Sequence, residues 1–112
     1  MIMLLCVAGC GGAAVPQDQM QSATGQIREA EGGGARDVPK AALHLKLAED
    51  QVAKAKTMME QGNNEEAALV LDCAKADAEY ALALAREEQT KKDAEAMAKQ
   101  VDEYKRKAAK QP

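Results

Sequence analysis

The chain has 112 residues, of which 29% are charged and 46% hydrophobic, and its formal net charge is −3. That length allows one small domain with a modest core and excludes a deep enclosed pocket. Interspersed charges of both signs, together with an aromatic complement of Tyr80 and Tyr104 alone, exclude a basic nucleic-acid footprint and leave nothing on which bases or sugars could stack.

Taken from the N-terminus, an apolar run, Ile2-Met3-Leu4-Leu5-Cys6, leads into Val7-Ala8-Gly9-Cys10 and then Gly11-Gly12. A branched apolar residue, two small residues and a cysteine resemble a bacterial lipobox. The resemblance implies that residues 1–9 are a signal-peptide remnant and that Cys10 starts the mature protein and carries diacylglycerol. Secretory signals open on a basic segment, yet no Lys or Arg precedes Cys10, so the start codon is expected upstream of Met1. A transmembrane span needs about 20 apolar residues, and Gln17, Asp18 and Gln19 end the run first. Attachment to the membrane is therefore expected through lipid. Gly11, where a retained inner-membrane lipoprotein would have Asp, resembles an outer-membrane address facing the periplasm. With Cys6 removed and Cys10 acylated, Cys73 stands alone. It is expected to be a small buried residue on a helix, with an intermolecular disulfide as the other reading.

Residues 10–16 read as a flexible tether. From Gln17 to Glu31, Met20, Ala23, Ile27 and Ala30 recur at helical spacing and predict a first helix. Gly32-Gly33-Gly34 ends it and reads as a hinge. Asp37 and Pro39 announce a second helix, proline being harmless in a first turn. Its buried stripe is Leu45, Ala48, Val52, Ala55 and Met59, with Glu49, Asp50, Lys54 and Lys56 on the solvent side. Gln61-Gly62-Asn63 closes that helix, with Gly62 suited to a left-handed C′ position. Asn63 and Glu66 suggest a variant capping box for the next helix. So short a connection predicts an αα-hairpin with antiparallel neighbours.

The third helix presents Ala67, Leu71, Ala74, Ala78, Ala81 and Ala85 to the second, while Val70, Cys73 and Leu84 beside this stripe are expected to receive the first helix. No Gly or Pro interrupts Arg86 to Lys110, and the segment is rich in strong helix formers. Glu87 with Lys91, Glu88 with Lys92, Glu95 with Lys99 and Glu103 with Lys107 stand four apart in the favourable order. The helix is thus expected to continue for about 70 Å in all. A distal stripe of Ala94, Met97, Val101, Tyr104 and Ala108 is out of phase with the hairpin seam and is the expected partner-binding surface. The predicted fold is all-α. It is a small antiparallel three-helix bundle over residues 17–86, built on the αα-hairpin, with a long C-terminal helix over residues 87–112 projecting beyond it.

From about Ala35 to Glu88 the chain resembles an uncharacterised family of bacterial envelope lipoproteins, domain of unknown function 4398. The resemblance rests on Asp37-Val38-Pro39, on Leu45, Ala48, Val52 and Ala55, on Gly62-Asn63 with Ala67, and on Asp77-Ala78 with Ala81. It implies an all-helical envelope domain and supplies no catalytic residues.

Chemistry is sparse. His44 is the sole histidine, with Asp50 and Cys73 remote in sequence, so no zinc site is argued. Ser22 and Cys73 lack a base and an orienting acid, and no triad can be assembled. Gly32-Gly33-Gly34 lacks the strand and Lys-Ser/Thr of a phosphate loop. Lys105, Arg106, Lys107 and Lys110 complement a helix C-terminus. The expectation is a non-enzymatic, lipid-anchored envelope protein without cofactor, metal, nucleic acid or small-molecule substrate. It would meet the membrane through Cys10, and a second copy or another envelope protein through the C-terminal helix. The alternative is a periplasmic adaptor that receives a peptide or helix in a groove between its first two helices, lined by Met20, Met58 and Met59.

Overall fold

The computed structural model describes residues 12–111; the signal remnant 1–9 and Cys10 lie outside them. Among the described residues the chain is all-helical. Helix α1 spans Gln17–Gly32, a 3₁₀ turn Ala35–Asp37, α2 Pro39–Glu60 and α3 Asn64–Ala109. At 46 residues, α3 extends about 69 Å at 1.5 Å per residue. No described helix is long and apolar enough to cross a membrane.

Alanine spacing explains how α2 and α3 meet. Ala41, Leu45, Ala48, Val52 and Ala55 form one buried stripe of α2. Ala67, Leu71, Ala74, Ala78, Ala81 and Ala85 form the facing stripe of α3, and the largest fully buried side chains are Leu45 and Leu71. Such small side chains bring helix axes to the lower end of the usual separation, about 8 Å. The turn between them is a Schellman closure. Gly62 has φ +81°, its N–H donates to Met59 O at 3.1 Å, and Asn63 N–H donates to Met58 O at 2.8 Å.

That closure removes the expected capping box. A capping box requires a free N–H at Asn63 for Glu66 to accept, and that N–H is already spent on Met58. Asn63 makes no side-chain cap bond, and its carbonyl accepts from Ala67 N–H instead. Asp37 likewise caps nothing: it ends the 3₁₀ turn, and Val38 in extended conformation precedes Pro39 at the first helical position.

Helix α1 lays Ala23, Ile27 and Ala30 into the same core, with Met20 half-buried against it. Its first turn lies beside the start of α3 and its last beside Leu82, so it runs alongside α3. Leu82, which the periodicity did not single out, is buried under the glycine corner. Val70 and Leu84 pack half-buried on the core, whereas Cys73 is exposed, contrary to expectation. Cys73 lies at the outer rim of the α2 contact, in a shallow depression it shares with Gln51, Lys54, Leu69 and Val70.

The triple glycine is an ordered corner and not a loose hinge. Gly33 N–H donates to Glu29 O at 2.9 Å, Gly34 N–H donates to Glu31 O at 3.1 Å, and Gly34 has φ +86°. Arg36 ties the corner to both neighbours through Glu31 and, at 2.6 Å, Glu49. These carboxylates, Glu31 first, hold the guanidinium above its ordinary pKa. The pairs are exposed and add little stability.

A Cβ at Gly33 would stand 2.5 Å from Leu82 Cδ1 and 3.3 Å from Glu29 O. Gly33→Ala should therefore destabilise by about 1–3 kcal/mol in urea unfolding, the usual cost of overpacking. Gly32→Ala, which meets nothing within 4 Å, should not destabilise.

Candidate functional site

The helix formers of α3 carry it past the last buried seam residue, Ala85, and every described residue from Gln89 onward is exposed. Local bonds brace this segment. Gln89 Nε2 donates to Asp93 Oδ1 at 2.8 Å and Thr90 Oγ1 to Arg86 O at 2.9 Å, and Glu103 pairs with Lys107 at 3.3 Å. The other three expected pairs, Glu87 with Lys91, Glu88 with Lys92 and Glu95 with Lys99, do not close to ion-pair distance. Exposed side chains of this kind gain too little from pairing to hold one rotamer.

The distal stripe is displayed as a surface. Met97 is 66% exposed, Val101 50% and Tyr104 72%, with Ala94 and Ala108 exposed at its ends. Spacings of three and four on an observed helix put all five on one side of it. A shallow depression beside Tyr104 is bordered by Gln100, Glu103 and Lys107. Apolar side chains in this arrangement can pair with another helix.

Sequence reading missed a polar cluster on the outer edge of the hairpin. His44 Nδ1 donates to Asp77 Oδ1 at 3.0 Å, and Gln51 Nε2 donates to Asp77 Oδ2 at 3.0 Å. The His44 ring meets Tyr80 edge-on at 4.5 Å, and Lys40 Nζ lies 5.6 Å from the Tyr80 ring centroid. His44 and Gln51 are two turns apart on α2 and bracket one carboxylate on α3. Lys40, His44 and Gln51 on one helix and Asp77 and Tyr80 on the other could have signalled this cluster only once the hairpin register was known. No group of three His, Cys, Asp or Glu able to hold a metal occurs among the described residues.

Met20, Met58 and Met59, the residues expected to line a groove between the first two helices, pack half-buried against the core. At the other end of the body, Ala13 O accepts from Asn64 Nδ2 at 3.2 Å, and Pro16 is buried. The segment leading toward Cys10 is thereby held at the α2–α3 turn, from which α3 runs away.

The family model described as domain of unknown function (DUF4398) matches residues 18–97, from α1 into the distal stripe. Neither the curated proteins nor the solved structures yield a match.

Removing the Asp77 carboxylate strands His44 and Gln51 together. Asp77→Ala should cost about 1–3 kcal/mol, the range for half-buried donors left without a partner. A double-mutant cycle with His44→Ala, read by thermal unfolding, should return a coupling of about 0.5–1.5 kcal/mol.

Proposed function

The chain belongs to the DUF4398 family, and from that premise we propose that it is a lipid-anchored structural or assembly protein of the bacterial cell envelope. Cys10 carries the lipid, in the outer membrane and facing the periplasm. Residues 17–86 form an antiparallel three-helix bundle, and the remainder of α3 holds out a surface for association. The protein performs no catalysis.

The observation that carries this reading is the projecting segment itself. Three large apolar side chains stand exposed on a helical segment that no other described element covers. Soluble proteins keep such residues where a partner covers them. The lipobox-like Val7 to Cys10 supports the address, and the family resemblance agrees with it. Chain direction supports a held-out surface. Ala13 is held beside Asn64, so the described chain enters the fold at one end of α3, and Ala94 to Ala108 lie about 45–66 Å along the helix from that end.

Two measurements test the proposal. Radiolabelled palmitate should be incorporated by the native chain and lost with Cys10→Ala; an unlabelled chain in the soluble fraction would refute the anchor. A photo-reactive amino acid in place of Met97 should give a covalent adduct in living cells, and the absence of any adduct would refute the assembly role.

A further inference from the structure

Helix α3 carries a second stripe that the hairpin leaves exposed, Tyr80 in part because His44 and Lys40 of α2 border its ring. Beginning at Leu69, steps of four and three alternate without a break through Cys73, Ala76, Tyr80 and Ala83, then Glu87 and Thr90, and then run into the distal stripe from Ala94 to Ala108. All of these positions are exposed. The buried seam cannot be extended in the same way, since beyond Ala85 its phase meets Glu88, Lys92, Glu95, Lys99, Asp102 and Arg106. The distal apolar residues therefore continue the back of the hairpin and not its core. An alternation of three and four sustained over more than five heptads is the repeat of a left-handed coiled coil, well beyond the three or four heptads that make such a pattern significant.

We propose that α3 pairs along this stripe with α3 of a second copy of the chain, antiparallel and in full overlap, so that each projecting segment covers the back of the other hairpin. This rests on the assembly reading above and narrows its partner to one.

Complementarity selects both partner and direction. In the antiparallel register Leu69 faces Ala108 of the second copy, Cys73 faces Tyr104, Ala76 faces Val101, Tyr80 faces Met97 and Ala83 faces Ala94. Large residues thus meet small ones, and the one large pair is a sulfur–aromatic contact. The two polar positions, Glu87 and Thr90, fall opposite each other at the centre. Beside the core, Asp72 meets Lys107 of the second copy and Arg86 meets Asp93. A parallel pair would instead set Glu87 against its own copy, Asp72 beside Asp77 and Arg86 beside Lys91, all like charges, which disfavour that alignment. In the antiparallel pair the ends that hold Ala13 lie at opposite tips of one rod.

Disulfide trapping of the full-length chain carrying Cys6→Ser and Cys10→Ser tests this directly. Sedimentation at high micromolar concentration should give twice the chain mass, and Val101→Glu should return the monomer with α-helical circular dichroism retained. Adding Tyr104→Cys should produce a rapid disulfide-linked dimer under mild oxidation, lost when Cys73→Ala is added as well. A monomer before any substitution overturns the proposal. So does a cross-link that survives Cys73→Ala, or one through Cys73 alone that forms as fast as with Tyr104→Cys, because each of these marks a parallel pair. The adduct test at Met97 in cells is independent: an adduct there with a monomeric purified chain would leave the assembly reading intact and refute this partner.

Discussion

Close contact between two alanine-lined helix faces sustains the molecule. Each buried alanine removes little apolar surface from water, so the seam from Ala41 to Ala55 and from Ala67 to Ala85 works only as a continuous series in one register. The Schellman turn at Gly62 starts that register by spending the two N–H groups that would otherwise leave the chain direction open. Its influence reaches the next helix, whose expected side-chain cap is displaced by the same bond. Asp77, held by His44 and Gln51 from positions two turns apart on α2, marks the same alignment farther along.

A seam built from small residues tolerates little intrusion. The first helix is admitted along the flank of α3, and its exit is allowed by the missing side chain of Gly33, where the backbone comes down onto Leu82. The three glycines therefore have different reasons to be there. Gly34 supplies a left-handed conformation, Gly33 supplies space, and Gly32 is constrained by neither.

The same helix that completes the core also leaves it. Up to Ala85 one face of α3 is buried; beyond it that face turns charged, and the apolar positions belong to the opposite side. Helix-forming composition lets the segment persist without tertiary support. A rigid arm with an apolar side, directed away from the end where the chain enters, suits the assembly role proposed above.

Element types and most of the core were legible because they depend on local pattern. Helical spacing identified Ala23, Ile27 and Ala30 in α1, Leu45, Ala48, Val52 and Ala55 but not Ala41 in α2, and all six seam residues of α3, and Gly62 announced its own turn. The distal stripe was legible for the same reason, as was its divergence from the seam. What escaped the pattern were properties belonging to two elements at once. Cys73 is exposed because it lies at the rim of the α2 contact, beside Gln51 and Lys54, and no periodicity within α3 states how wide the covered sector is. Leu82 is buried because a glycine corner from another part of the chain descends on it. Asp77 acquired its partners, and Asn63 lost its capping role, through bonds whose other ends are set by the hairpin. A helical repeat tells which residues share a face; which neighbour covers that face, and how far around, follows only from the approach of the other helices.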